Sequence, residues 1–219
     1  MKLALDPLAI ADRAKLAPVA ASLIHLQQNQ QLTSLVVTSC NAGEGKTTVA
    51  IQIARAAVLE VGLRVLLIDF NPAHPQLADL FGCNPLPGLS DYLDGQVEAE
   101  SIIRPTSMKN FDLLPFGSRR TGRASRYDPT HLQAKLTALR PVDGTGYDLV
   151  VADGPSSFSE PDLVVSARLF DGVVMVIECE RTRWEVFKNY QDLLLGSQAQ
   201  LLGAVMNRRR YYIPKALYV

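Results

Sequence analysis

The sequence has no excess charge of either sign. Lysine plus arginine and aspartate plus glutamate number 22 each in 219 residues. A globally basic surface for nucleic acid is therefore not indicated. No run of 18 or more apolar residues occurs, so the chain is not expected to span a membrane, and any membrane link would run through a partner. Asp6, Asp12, Arg13 and Lys15 interrupt the N-terminal apolar residues, which argues against a signal peptide. The three cysteines, Cys40, Cys83 and Cys179, are odd in number and far apart. They form no CxxC pair and no His/Cys cluster, so reduced cytosolic thiols are expected rather than a metal site. His25, His74 and His131 are isolated in sequence and read as structural or surface groups. No internal repeat or low-complexity segment is present.

About half of the residues are apolar, which suits one sizeable α/β domain with at most a small appendage. Residues 7–30 read as a polar-to-amphipathic helical region. Residues 34–39 form a short β-branched run, a buried strand. A Gly-rich turn follows, then a helix over 47–60 free of Gly and Pro, with Gly62 just past its end. Residues 64–69 are a second apolar strand, completing a βαβ unit, a crossover that is nearly always right-handed with parallel strands. Further strands are expected at 112–115, 148–152, 173–177 and 202–206, with helices at 129–139, 160–168 and 183–196. This alternation predicts a mostly parallel sheet with helices on both faces. Residues 1–33 are thus an N-terminal helical region, 34–207 the α/β domain and 208–219 a tail rich in Arg and Tyr. Trp184 is expected to pack at a helix start.

The chemistry concentrates in Ala42-Gly43-Glu44-Gly45-Lys46-Thr47-Thr48. A Gly-rich turn entering a helix lets backbone N–H groups face phosphate oxygens. Lys46 supplies a point charge to the outer phosphates, and the Thr47 hydroxyl is placed to ligate Mg²⁺. The first glycine of a strict G-x-x-x-x-G-K-[ST] motif falls at Cys40, while the G-K-T core is intact. Asp69 ends the second strand and Asp153 follows the 148–152 run. In parallel sheets ligands gather beyond the carboxyl ends of strands, so both aspartates could hold Mg²⁺ or its waters beside Thr47.

From residue 34 to 207 the chain resembles the cytoplasmic domain of the bacterial tyrosine autokinases, a ParA/MinD-like branch of the P-loop ATPases. The Walker A segment is 37–48. Residues 66–75 (Leu66-Leu67-Ile68-Asp69-Phe70-Asn71-Pro72-Ala73-His74-Pro75) align with Walker A-prime, and Asp148 through Asp153-Gly154-Pro155 with Walker B. Pro87-Gly88-Leu89-Ser90-Asp91-Tyr92-Leu93 and the stretch from Leu113-Leu114-Pro115 to Leu132 are also similar to family segments. The resemblance implies ATP/ADP and Mg²⁺ as cofactors. It implies catalytic roles for Lys46, Asp69 and Asp153, with Asp69 nearest the incoming hydroxyl, and a metal set of Thr47, Asp69 and Asp153. Asn207, at the end of the last strand, would recognise adenine. It further implies a regulator of capsular or exopolysaccharide synthesis and export, cytoplasmic and peripheral to the inner membrane. There it would work with an integral-membrane polysaccharide co-polymerase and self-associate as a dimer or ring. Tyr211, Tyr212 and Tyr218 would be the phosphoacceptor candidates.

Four departures qualify that likeness. The second Walker A-prime aspartate is Asn71 and its arginine is Ala73. An amide cannot accept a proton as a carboxylate can. Residues 19–27 lack the Glu and two Arg by which family members join neighbours, and the tyrosine cluster is short. Two readings remain: a tyrosine autokinase, or a kinase-deficient nucleotide switch in the same complex. Arg119, Arg120, Arg123 and Arg126, and Arg208 to Arg210, read either as solvated loop charge or as contacts to a membrane leaflet, a partner's tails or phosphotyrosines.

Overall fold

The computed structural model describes Pro18, Ala21, Ser22, Ile24, His25 and residues 32–118, 129–139, 146–156 and 167–209. The N-terminal helical region, most of the expected 160–168 helix, the 119–126 arginines, Arg210 and the three tail tyrosines lie outside the described residues, apart from those five positions.

Strand β1 (Ser34–Ser39) opens the domain and is buried almost throughout. Helix α1 (Lys46–Ala56) follows the glycine turn and runs on into a wider π turn, Ala57–Val61, which Gly62 ends at φ 83°. A left-handed residue at this place is the usual glycine helix stop. Strand β2 (Val65–Asp69) comes next. Three short helices, α2 (Leu77–Leu80), α3 (Leu89–Leu93) and α4 (Ala99–Ile102), then lead to β3 (Arg104–Pro105) and β4 (Phe111–Leu114). None of these helices, nor β3, was expected, because four or five residues are too few to display a helical period. The rest is α5 (Pro129–Thr137), β5 (Leu149–Ser156), β6 (Gly172–Glu178), α6 (Trp184–Gly196) and β7 (Leu201–Asn207).

The strands form one seven-stranded sheet in the order β3-β4-β2-β5-β1-β6-β7, parallel except for β3 against β4. Strand alternation divides its apolar residues between two faces. Leu35, Val37, Leu67 and Val151 pack on one face with Val49, Ala50 and Ile53 of α1. Val36, Leu66, Ile68 and Ala152 pack on the other with Tyr190 and Leu194 of α6. A sheet covered on both faces explains the near-continuous apolar strands. No described helix is long and apolar enough to cross a membrane.

Two details differ from expectation. Asp153 lies inside β5, which continues to Ser156, because Ser39 pairs with Ser156 and Thr38 Oγ1 donates to the Pro155 carbonyl at 2.7 Å. Gly154 permits this extension, since a Cβ there would stand 2.6 Å from Val36 Cγ2 and 3.1 Å from the Val37 carbonyl oxygen. Trp184 does start α6, yet it is 67% exposed and rests its ring only on Phe187, at 5.4 Å.

Two buried substitutions and one exposed control test this packing. Leu67→Ala removes a fully buried side chain and should cost about 2–5 kcal/mol in denaturant unfolding. Gly154→Ala should also destabilise, because backbone and a β-branched side chain leave the new methyl no space. Leu80→Ala, at an exposed position, should cost less than about 1 kcal/mol.

Candidate functional site

The carboxyl ends of β1, β2, β5, β6 and β7 meet around the turn between β1 and α1. Gly43 and Gly45 take φ of 84° and 93° there, a region that excludes most L side chains. Gly45 is needed twice over, because a Cβ on it would run into the Asn207 carboxamide. The turn delivers Lys46 and Thr47 as the first residues of α1, both buried.

Beneath them lies Asp153, wholly buried. Its Oδ1 is 3.3 Å from Lys46 Nζ, and its Oδ2 accepts the Thr47 hydroxyl at 2.7 Å. Burial pushes the Asp153 carboxyl above the ordinary range, against the pull of Lys46 and Thr47. Asp69 is its register partner on the adjoining strand. Asp69 Oδ2 accepts the Gln76 and Leu77 N–H groups at 2.9 Å each, and Oδ1 accepts the Asn71 N–H at 3.3 Å. Even so, Asp69 rises to about 7. Burial is the main cause and the Asp153 charge adds to it, while the three N–H groups oppose. Two carboxylates side by side in a desolvated place resist ionising together.

A cleft of about 270 Å³ opens above this floor. Gly43, Gly45, Lys46, Thr47 and Thr48 line it on one side, with Asn71, His74, Gln76, Ser156 and Arg208 around the remainder. Asp69 and Asp153 are not part of the lining. The residue at the end of β2 that does line the cleft is Asn71, whose Nδ2 donates to the His74 carbonyl at 3.1 Å. Asn207 lies on the far side of the turn, its Nδ2 donating to the Glu44 carbonyl at 2.8 Å.

The structure therefore gathers Ala42 to Thr48, Asp69, Asp153 and Asn207 around one place. The structure gives Glu44 a particular part within the predicted turn and adds members to which no motif assigned a nucleotide role. Glu44 is buried, and its carboxylate accepts the Asn41 N–H at 3.0 Å, the Asn41 amide at 2.8 Å and the Thr182 hydroxyl. It thereby ties the turn to the segment between β6 and α6. Thr182, Ser156 and Arg208 come from distant stretches, and only folding brings them here. Cys40, at the missing glycine, is buried, and burial together with the Glu44 carboxylate pushes its thiol up to about 12. It is a packing residue and not a nucleophile.

The donor set fits a phosphate ligand with Mg²⁺. The glycine turn offers backbone N–H groups at a helix start, and Lys46 offers charge. Among the described residues no group of three or more His, Cys, Asp or Glu could hold a metal by itself. One hydroxyl backed by a carboxylate suits Mg²⁺, which keeps several waters and takes its remaining ligands from phosphate.

The Asp69 shift has a sign that can be tested. Its folded value near 7 exceeds the ordinary aspartate value of 3.8, so the folded protein holds the extra proton between those limits. Stability from this group is full below about 4 and falls as pH rises to about 7. Melting curves of nucleotide-free protein should show that decline, and Asp69→Asn should flatten it. A wild-type decline unchanged in Asp69→Asn would mean that other groups cause it.

No protein-family model matches the chain. It is 28% identical to the tyrosine-protein kinase YwqD of Bacillus subtilis over 183 residues, covering 83% of this chain and 75% of that one. The solved VpsO kinase domain superimposes with a TM-score of 0.76 at 25% identity, covering 91% of this chain and 98% of that domain. The septum site-determining protein MinD of Pyrococcus horikoshii, solved with Mg-ADP, gives a TM-score of 0.65 at 23% identity over 84% of this chain and 74% of its own; that likeness concerns the fold. Further relatives carry the name tyrosine-protein kinase in Streptococcus agalactiae and Salmonella typhi. The chain is a homologue of the bacterial tyrosine-protein kinases, built on the P-loop fold that their kinase domains share with MinD.

Proposed function

We propose that this protein binds ATP with Mg²⁺ in the cleft above Lys46 and Thr47 and acts as a tyrosine autokinase. In that role it would regulate capsular or exopolysaccharide synthesis and export beside a membrane co-polymerase, and it would self-associate. The observation that carries the nucleotide part is the Lys46–Asp153–Thr47 cluster under a positive-φ glycine turn. The kinase part rests on the relatives, which are tyrosine-protein kinases by name. The polysaccharide role, the partner and the tail tyrosines Tyr211, Tyr212 and Tyr218 come from the sequence resemblance.

Bound nucleotide would supply the transferable phosphoryl group, with Mg²⁺ offsetting its charge. The chain's part is positioning and charge. Lys46 is held by Asp153 with its ammonium at the cleft floor, where it can turn to a phosphate oxygen without leaving its partner. Thr47 is oriented by the same carboxylate. Asn207 has its Nδ2 committed to Glu44, so its Oδ1 is the acceptor left for an amino group. That chemistry suits adenine over guanine, whose corresponding group is a carbonyl. Asp69, near 7, can hold a proton at neutral pH. Of its two oxygens Oδ1 has the weaker backbone partner, so it is the one available to a tyrosine hydroxyl.

A second reading has its own observation. Asn71, an amide, lines the cleft where Asp69 does not, and its Nδ2 donates to the His74 carbonyl. A protein that binds ATP through Lys46 and Thr47 yet lacks a carboxylate facing the cleft would be a nucleotide-dependent switch in the same export complex.

Incubation with ATP and Mg²⁺, probed for phosphotyrosine with and without a partner's cytoplasmic segment, separates the two. The kinase gives a signal that Lys46→Met and Tyr218→Phe both reduce at least about tenfold, the loss expected when transition-state charge stabilisation or the acceptor is removed. ATP binding with no phosphotyrosine under either condition supports the switch. Asn71→Asp then has a definite expectation: a gain of phosphotyrosine identifies position 71 as the defect, and no gain places it elsewhere.

A further inference from the structure

We infer that Arg208 is a nucleotide-binding residue of this site, its guanidinium taking a phosphate oxygen of the bound polyphosphate. The inference rests on the nucleotide half of the reading above and is independent of kinase activity.

Charge in the cleft is the first ground. Lys46 is already paired with Asp153, and the side chains are 10% and 0% exposed. The pair contributes little net charge, and Asp69 lies beside it. A polyphosphate with one Mg²⁺ still carries net negative charge. Among the cleft-lining residues Arg208 is the other permanent cation.

Backbone geometry is the second ground. Cys179 N donates to the Asn207 carbonyl at 2.9 Å, so β7 stays paired to its last residue. The very next residue turns to φ 56°. That left-handed conformation is unfavourable for a residue with a Cβ. The turn leaves Arg208 on the cleft wall instead of continuing outward along the sheet.

How the guanidinium is held is the third ground. Glu178 Oε2 accepts Arg208 at 3.3 Å and Arg181 at 3.2 Å. Two guanidinium groups share one oxygen of one carboxylate. If Arg208 moves to a phosphate, Glu178 keeps Arg181 and is not left unpaired. The arginine is thus stored beside the cleft by a contact that is cheap to give up. A planar guanidinium offers the two-pronged geometry that phosphate favours.

The test is nucleotide affinity by calorimetry on the whole protein, with ATP and ADP, at several salt concentrations. Arg208 is half exposed, so Arg208→Ala should fold, which a melting curve checks. Arg208→Ala should weaken ATP and ADP binding by about 10–100-fold, the range for losing a charged hydrogen bond. It should also flatten the salt dependence of the affinity, since one phosphate-directed charge is gone. Arg208→Lys should keep the salt dependence and recover part of the affinity. Arg181→Ala shares the Glu178 contact but lies outside the cleft lining, and should bind as wild type does. An Arg208→Ala affinity within about twofold of wild type overturns the inference, twofold being under half a kcal/mol. So does a loss with unchanged salt dependence, which would mean stacking or packing. Wild-type protein that binds no ATP defeats the nucleotide reading and this inference together. Tight ATP binding without phosphotyrosine defeats the kinase reading alone.

Discussion

The site is built around one buried anion. Asp153 sits in the middle strand of the sheet with no access to water, and such a charge persists only if it is paired and hydrogen-bonded. Lys46 and Thr47 are its partners. That requirement fixes the start of α1 against β5 and so fixes the glycine turn between them. The close approach of Gly154 to Val36 holds β5 flush against β1 at that level. On the other side, the Glu44 carboxylate and carbonyl fasten the turn to Thr182 and Asn207. The turn is therefore shaped by protein contacts on both sides, which is the preorganisation that lets backbone dipoles act on a ligand without first being rearranged.

Putting β5 between β1 and β2 has an electrostatic consequence. It sets Asp69 and Asp153 at the same height on neighbouring strands. The first is held by backbone N–H groups and the second by a lysine and a threonine, yet burial raises both carboxyls, Asp69 to about 7. At that value Asp69 can hold or release a proton near neutral pH. The side chain on the cleft wall belongs to Asn71 and not to Asp69. The Asn71 departure noted in the sequence therefore falls within the cleft lining.

Much of this was legible in the sequence. The central strands read as apolar runs because both faces of the sheet are covered there, and the glycine turn read as a phosphate cradle because Lys-Thr follows it at a helix start. Asp69 was found at a strand end. Asp153 was found as a residue but placed one position outside its strand, because Gly154 and Pro155 are ordinary strand breakers. Only the contact with Val36 shows why glycine belongs there. The helices of four and five residues between β2 and β4 were not foreseen, since burial of Leu77, Leu89 and Ile102 shapes them more than any periodicity. Trp184 begins α6 as expected and meets Phe187, but it is 67% exposed rather than packed into the body. Arg208 was legible only as part of a basic run and Thr182 not at all, because their place beside the glycine turn depends on strands and turns far apart in the chain.

The two margins of the sheet are unlike. At one, β3 is two residues long and ends in Pro105, which has no N–H to offer, while the Arg104 guanidinium folds back onto the carbonyls of Ser101, Ile103 and Pro87. At the other, β7 runs for seven residues with Ala204 and Met206 exposed. A proline-terminated, self-capped margin cannot receive a further strand. Among the described strands, the margin at β3 is thus closed by the chain's own proline and arginine, and the two sides of the sheet differ in what they can receive.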